Sequence, residues 1–216
     1  MAGFTITGGV SFSGAVSMSD APPLENTAAW FGGGSPGPVS TVQRITYATD
    51  TATASVRGPL SAAIVYLAAA GNFDYGWFVG GKQGPLSTVQ RITYTTDTAT
   101  ASVRGPLSSA RGSLAATGNT TDGWFGGGYT SGIASTVNRI TYATDTDTAS
   151  VRGPLSLARY GLAAAGNTTD GWFGGGSYPV KSTVDRITYA TDTATASVRG
   201  PLSSSSRYLA AAGGIQ

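Results

Sequence analysis

The chain has 216 residues, 13 Lys and Arg against 11 Asp and Glu, a net charge of +2 and only 11% charged residues. So weak a field argues against a nucleic-acid or anionic-membrane partner, and the absence of cysteine and histidine removes thiolate chemistry, disulfides, and the commonest general base and metal ligand. Thirty-two glycines with many Ser, Thr and Ala suit short strands joined by tight turns rather than charged disorder.

Residues 1–25 lack a basic n-region and a continuous apolar run. They read as neither a secretory signal nor a membrane span. Apolar residues alternate there with glycine before an Ala-Pro-Pro break, which predicts a β-rich appendage that docks by strand addition through Phe4, Ile6, Val10 and Phe12.

From residue 26 to 216 the chain repeats itself. "AAWFGGG" at 28–34 returns as "DYGWFVGG" at 74–81 and as "TDGWFGGG" at 121–128 and 169–176. "VRGPL" ends at Leu60, Leu107, Leu155 and Leu202, in steps of 47, 48 and 47. Self-similarity at such a period signals a solenoid, propeller or array. Units that need neighbours to bury their apolar faces make one cooperative body.

Within a unit, "SLAATG" predicts a strand of small residues ended by the turn "GNTTDG". "GWFGGG" predicts an aromatic strand, and "STVNRITY" a strand rich in β-branched residues. After a turn at "ATDTD", the alternation in the fourth run is expected to put Ala52, Ala54 and Val56 on one face and Thr51, Thr53, Ser55 and Arg57 on the other. No stretch carries a helical period. Four short strands per unit match a propeller blade, with Trp30, Trp77, Trp124 and Trp172, or the adjacent Phe residues, filling the spaces between blades and glycine admitting close backbones.

The fold class expected is therefore all-β, a small β-propeller of about four four-stranded blades. The last unit ends in "RYLAAAGGIQ", a first-strand sequence with no aromatic strand after it, while "AAWFGGG" at 28–34 has no first strand before it. Pairing of the two would close the ring and remove exposed edges. The alternatives are a further partial blade from residues 1–25, or open arcs that associate into a larger ring.

The differences between copies are local. Between the glycine run and "STV" the loops read "SPGPV", "KQGPL", "YTSGIA" and "SYPVK" on nearly constant flanks. Varied loops on a constant frame are where binding tends to reside, so Lys82, Gln83, Tyr129, Tyr178 and Lys181 are the expected ligand or partner contacts. A second variable patch follows "GPL", where Ile64 stands in place of Arg111 and Arg159 and argues against a symmetric arginine site. Arg44, Arg91, Arg139 and Arg186, each six residues before Asp50, Asp97, Asp145 and Asp192, predict ion pairs or capped turns. "GGKQGP" lacks the spacing of a phosphate loop. Asp145 and Asp147 alone fall short of a calcium site, and no carboxylate pair suited to glycoside hydrolysis stands out. No catalytic residue, metal or cofactor is expected.

Arg159, the alanines at 163–165, Trp172, Phe173, Gly174, Gly175, Val184, Tyr189 and Asp192 follow a pattern that resembles the kelch-repeat propellers, over residues 28–213. The fourth-strand tryptophan usual in that pattern is replaced by "TATASVRGPL". The near-identical copies also look like repetitive virion and tail-associated proteins of marine bacteriophages, cyanophages included. This resemblance implies a non-enzymatic module, in a virion or extracellular, that binds a host-surface glycan or protein through its blade loops. Its alternative is a structural decoration or assembly subunit that docks by its N-terminal strand. Other virion proteins and further copies of the chain are its expected partners.

Overall fold

The structure, a computed structural model, describes residues 27–82 and 86–213. Phe4, Ile6, Val10, Phe12 and Gln83 lie outside the described residues. Each unit folds as an antiparallel meander. The first sheet holds β1 (Ala28–Gly32), β2 (Val42–Thr46) and β3 (Ser55–Arg57). The second holds β4 (Ala68–Gly71), β5 (Tyr75–Val79), β6 (Val89–Thr93) and β7 (Ser102–Arg104). The third holds β8 (Ala115–Gly118), β9 (Asp122–Gly126), β10 (Val137–Thr141) and β11 (Ser150–Arg152), and the fourth β12 (Ala163–Gly166), β13 (Asp170–Gly174), β14 (Val184–Thr188) and β15 (Ser197–Arg199). Among the described residues, helix is confined to single 3-10 turns such as Tyr142–Thr144. This all-β arrangement fits a small propeller-like fold.

The turns follow from side-chain chemistry. Asn119 Oδ1 accepts hydrogen bonds from the backbone N–H groups of Thr121 and Asp122, both at 2.9 Å, and so closes the hairpin from β8 to β9. Asn72 and Asn167 do the same in their units.

Packing occurs between successive sheets. Trp77 and Trp124 are almost wholly buried, and each stacks at 3.8 Å on a tyrosine of the next sheet, Tyr142 and Tyr189 respectively. Trp30 stacks on Tyr94 at the same spacing. The indole N–H of Trp77 donates to Asp145 Oδ2 at 2.9 Å; Arg91 reaches the same oxygen at 3.0 Å and Arg104 approaches it at 3.5 Å. Asp97 gathers Trp30, Arg44 and Arg57, and Asp192 gathers Trp124, Arg139 and Arg152. Arg44, Arg91 and Arg139 thus pair with Asp97, Asp145 and Asp192 of the following unit rather than with the aspartate six residues on in their own, whereas Arg186 and Asp50 join no such pair among the described residues.

Two expectations are corrected. The fourth run contributes only three residues of strand, and its valines face outward: Val56 is 70% exposed. Arg57 takes the inward face instead because it meets Asp97 across the interface; alternation alone does not say which face is buried. The expected pairing of the C-terminal segment with β1 is not made. Among the described residues β1 pairs only with β2, and residues 206–213 lie against the fourth sheet, with Gly176 N–H donating to Ser206 O at 2.8 Å. Among the described residues the four sheets are not closed into a ring.

Candidate ligand-binding cleft

Each sheet after the first is reached through a lead-in that crosses from the fourth run to the first strand: residues 64–67, 111–114, 159–162 and, at the end of the chain, 206–209. The third residue of every lead-in has a left-handed backbone: Tyr66 (φ 58°), Ser113 (φ 56°), Gly161 (φ 63°) and Tyr208 (φ 54°). The turn aims each N–H at the preceding unit. Ser113 N donates to Tyr66 O at 2.8 Å, Gly161 N to Ser113 O at 2.8 Å, and Tyr208 N to Gly161 O at 2.6 Å. One residue per unit therefore forms a hydrogen-bonded string across the sheets. Glycine is at ease in this conformation, whereas a tyrosine holds it at a cost of order 1 kcal/mol.

Arg111 and Arg159 support the lead-ins from below and are fully buried. Arg111 Nη2 donates to Phe125 O at 3.1 Å and Asn138 Oδ1 at 2.8 Å. Arg159 Nη2 donates to Phe173 O at 3.0 Å and to Asp185 at 2.9 Å. Burial pushes the Arg111 guanidinium down to about 10, so it stays charged at neutral pH. In Arg159 burial also lowers the pKa, opposed by the Asp185 carboxylate. The unit led by Ile64 has Gln90 at the acceptor position, held by Ser61 Oγ at 2.7 Å. Lead-in residue and strand partner thus change together, so the variation among Ile64, Arg111 and Arg159 belongs to the core.

The rest of the second variable patch is surface, and it adjoins the first. Bridges pair Val65 with Lys82, Gly112 with Tyr129 and Tyr160 with Ser177, so the loops after the glycine runs and the lead-ins form one face. There Tyr66, Lys82, Ser113, Tyr129, Tyr160 and Tyr208 line a cleft of about 330 Å³. Tyr129 and Tyr160 meet edge to face at 5.8 Å, and Tyr160 and Tyr208 are 6.3 Å apart. Arg207 lies over the Tyr208 ring at 5.7 Å.

Of the residues predicted from the sequence, Lys82 and Tyr129 come together in this cleft. Tyr178 is 72% exposed but does not line it. Lys181 is bridged to Ser206 and stands apart from it too. Sequence reasoning did not single out Tyr66, Tyr160 and Tyr208; the available signal was an aromatic that other copies lack, with Ser113 and Gly161 at the position of Tyr66 and Tyr208, and Val65, Gly112 and Arg207 at that of Tyr160. Among the described residues the lining presents aromatic faces, hydroxyls and an ammonium group, and no carboxylate. Such a surface suits a polar ligand with an apolar face. No protein-family model matches the chain, and no curated protein matches it.

Proposed function

We propose that the protein is a non-enzymatic interaction module that binds a glycan in the tyrosine-lined cleft. The single observation that carries this reading is the group of Tyr66, Tyr129, Tyr160 and Tyr208 at one solvent-facing cleft. None of them belongs to the buried clusters between sheets. Two of them hold a left-handed backbone, a local strain of the sort that gathers at ligand sites. Sugar rings have apolar faces that stack on tyrosine and hydroxyls that suit Ser113 and Lys82. The kelch-like and phage-type resemblance supplies the setting: a virion or tail-associated propeller contacting a glycan of the host surface.

The test is binding of labelled protein to marine bacterial and cyanobacterial cells and to their purified surface glycans. Each aromatic contact contributes about 0.5–1.5 kcal/mol, so a Tyr129→Ala/Tyr160→Ala variant should bind about five- to a hundredfold more weakly. Lys82→Ala should weaken binding as well, and Tyr178→Ala should leave it unchanged. Saturable binding that survives the double substitution in a folded variant would remove the cleft from consideration. A folded wild type that binds no glycan would favour the architectural role.

A further inference from the structure

The two ends of the sheet series carry the two halves of an interface that the molecule makes three times internally. On the trailing side of the fourth sheet, Trp172 is half-buried and has no acceptor for its indole N–H among the described residues, whereas Trp30, Trp77 and Trp124 each donate to an aspartate of the following sheet. Arg199 is exposed, and among the described residues Arg186 keeps only its own-sheet contact with Asp170 at 3.5 Å. On the leading side of the first sheet, the corresponding aspartate, Asp50, is exposed. Tyr47, whose counterparts stack on tryptophan, is 55% exposed.

The backbone shows the same vacancy. A Cβ on Gly58, Gly105 or Gly153 would collide with the turn of the following sheet, at Ala99, Asp147 and Ala194 respectively, yet at Gly200 it would meet nothing within 4 Å. Gly32 and Gly126 are covered by Phe78 and Phe173 of the following sheet, whereas Gly174 is left to its own sheet and Phe31 is 55% exposed.

The C-terminal segment already occupies the place of a fifth unit's first strand. The Leu209 side chain sits beside Gly175 as Leu67, Leu114 and Leu162 sit beside Gly33, Gly80 and Gly127. Residues 209–213 read LAAAG, identical to 67–71 and 162–166. Among the described residues this segment pairs with no aromatic strand, and β1 has no first strand beside it.

We propose that these ends join between two copies of the chain, head to tail, to give a closed ring of eight four-stranded sheets. The three internal interfaces use the same contacts, so each turns the chain by the same step. Four equal quarter turns would bring the fourth sheet onto the first; the chain does not close, so the step is smaller. Copies that each carry four sheets close in multiples of four, and eight is the upper end of the usual propeller range. A head-to-tail contact whose rotation closes gives a ring rather than a filament. In each junction residues 209–213 of one copy complete the sheet of β1 in the other, in the register of β4 on β5, where Ala69 faces Phe78; Ala211 therefore faces Phe31. Asp50 of the second copy receives Trp172, Arg186 and Arg199.

Mass measurement of the full chain by native mass spectrometry and light scattering should give twice the 21.7 kDa of one chain. Gly200→Ala has open space in one chain, so it should fold normally yet lose the dimer, because the added methyl meets the Asp50 turn of the other copy. Because the chain has no cysteine, Phe31→Cys mixed with Ala211→Cys and oxidised should give a covalent two-chain product that neither variant gives alone. A single-chain mass at tens of micromolar, a larger polymer, a Gly200→Ala variant that stays dimeric, or a Phe31→Cys/Ala211→Cys variant that cross-links only within one chain would each overturn the two-copy ring.

Discussion

At the scale of single residues, the interfaces combine stacking with a shared carboxylate, and the stacked tyrosines link stability to pH. Burial, first, and the Tyr47 charge raise Tyr94 to about 12, and burial raises Tyr189 to about 12 against the opposing hydrogen bond from Thr117; Tyr142 is raised further. A group whose folded pKa lies above its unfolded value contributes stability that is whole below the unfolded value, here about 10, and lost as pH climbs through the folded one. Arg111, lowered by burial, acts in the opposite sense over the same alkaline window. Three tyrosines against one such arginine and Arg159, whose lowering is partly offset by Asp185, should bring the melting temperature down from pH 10 to pH 12. Tyr94→Phe should flatten that decline. Phenolate absorbance followed beside the melt checks the assignment, and an unchanged slope in the variant would count against it. The aspartates that accept from these tryptophans were legible as charged positions but not as contacts. Near-identical copies make a pair within one unit and a pair across two units indistinguishable in sequence.

At the scale of elements, the short fourth strands end where the chain passes beneath the next turn, and glycine is required there. Gly105 N donates to Asp145 O at 2.9 Å, and a side chain at Gly105 would drive into Asp147 O. Relief requires the second and third sheets to separate locally. Gly105→Ala should destabilise by about 3 kcal/mol, within the range of severe core lesions, read as a lowered denaturation midpoint with the denaturant dependence unchanged. The strands were readable because turn residues and β-branched runs mark them in every unit. The facing of Val56 and Arg57 was not, since a period of two fixes alternation without fixing its sign and an ion pair across the interface decides it. The cleft was half legible for a related reason. Variation in copies located Lys82 and Tyr129, but only the bridges from Val65 to Lys82 and from Gly112 to Tyr129 bring the second variable patch beside the first.

At the scale of the molecule, each sheet leans mainly on the next, as in other repeat architectures where stability sums unit and interface contributions. The outer faces of the first and fourth sheets then gain most from a second copy, and the melting temperature should rise with protein concentration for the wild type but not for Gly200→Ala. Differential scanning fluorimetry over a hundredfold dilution tests this, and a concentration-independent wild-type melt would contradict it. The number of units was legible from the period alone. Whether they close was not, because closure depends on the angle of each step, and no residue type encodes an angle by itself.

The Trp–Asp–Arg junction has one further consequence, for the number of units such a chain can carry. Every internal junction is made by the same residue types at offsets that differ by at most one residue, so removing or adding one whole unit joins a Trp77-type face to an Asp145-type turn that already fits it. A chain lengthened or shortened by one whole unit therefore inherits only junctions of a kind this chain already makes.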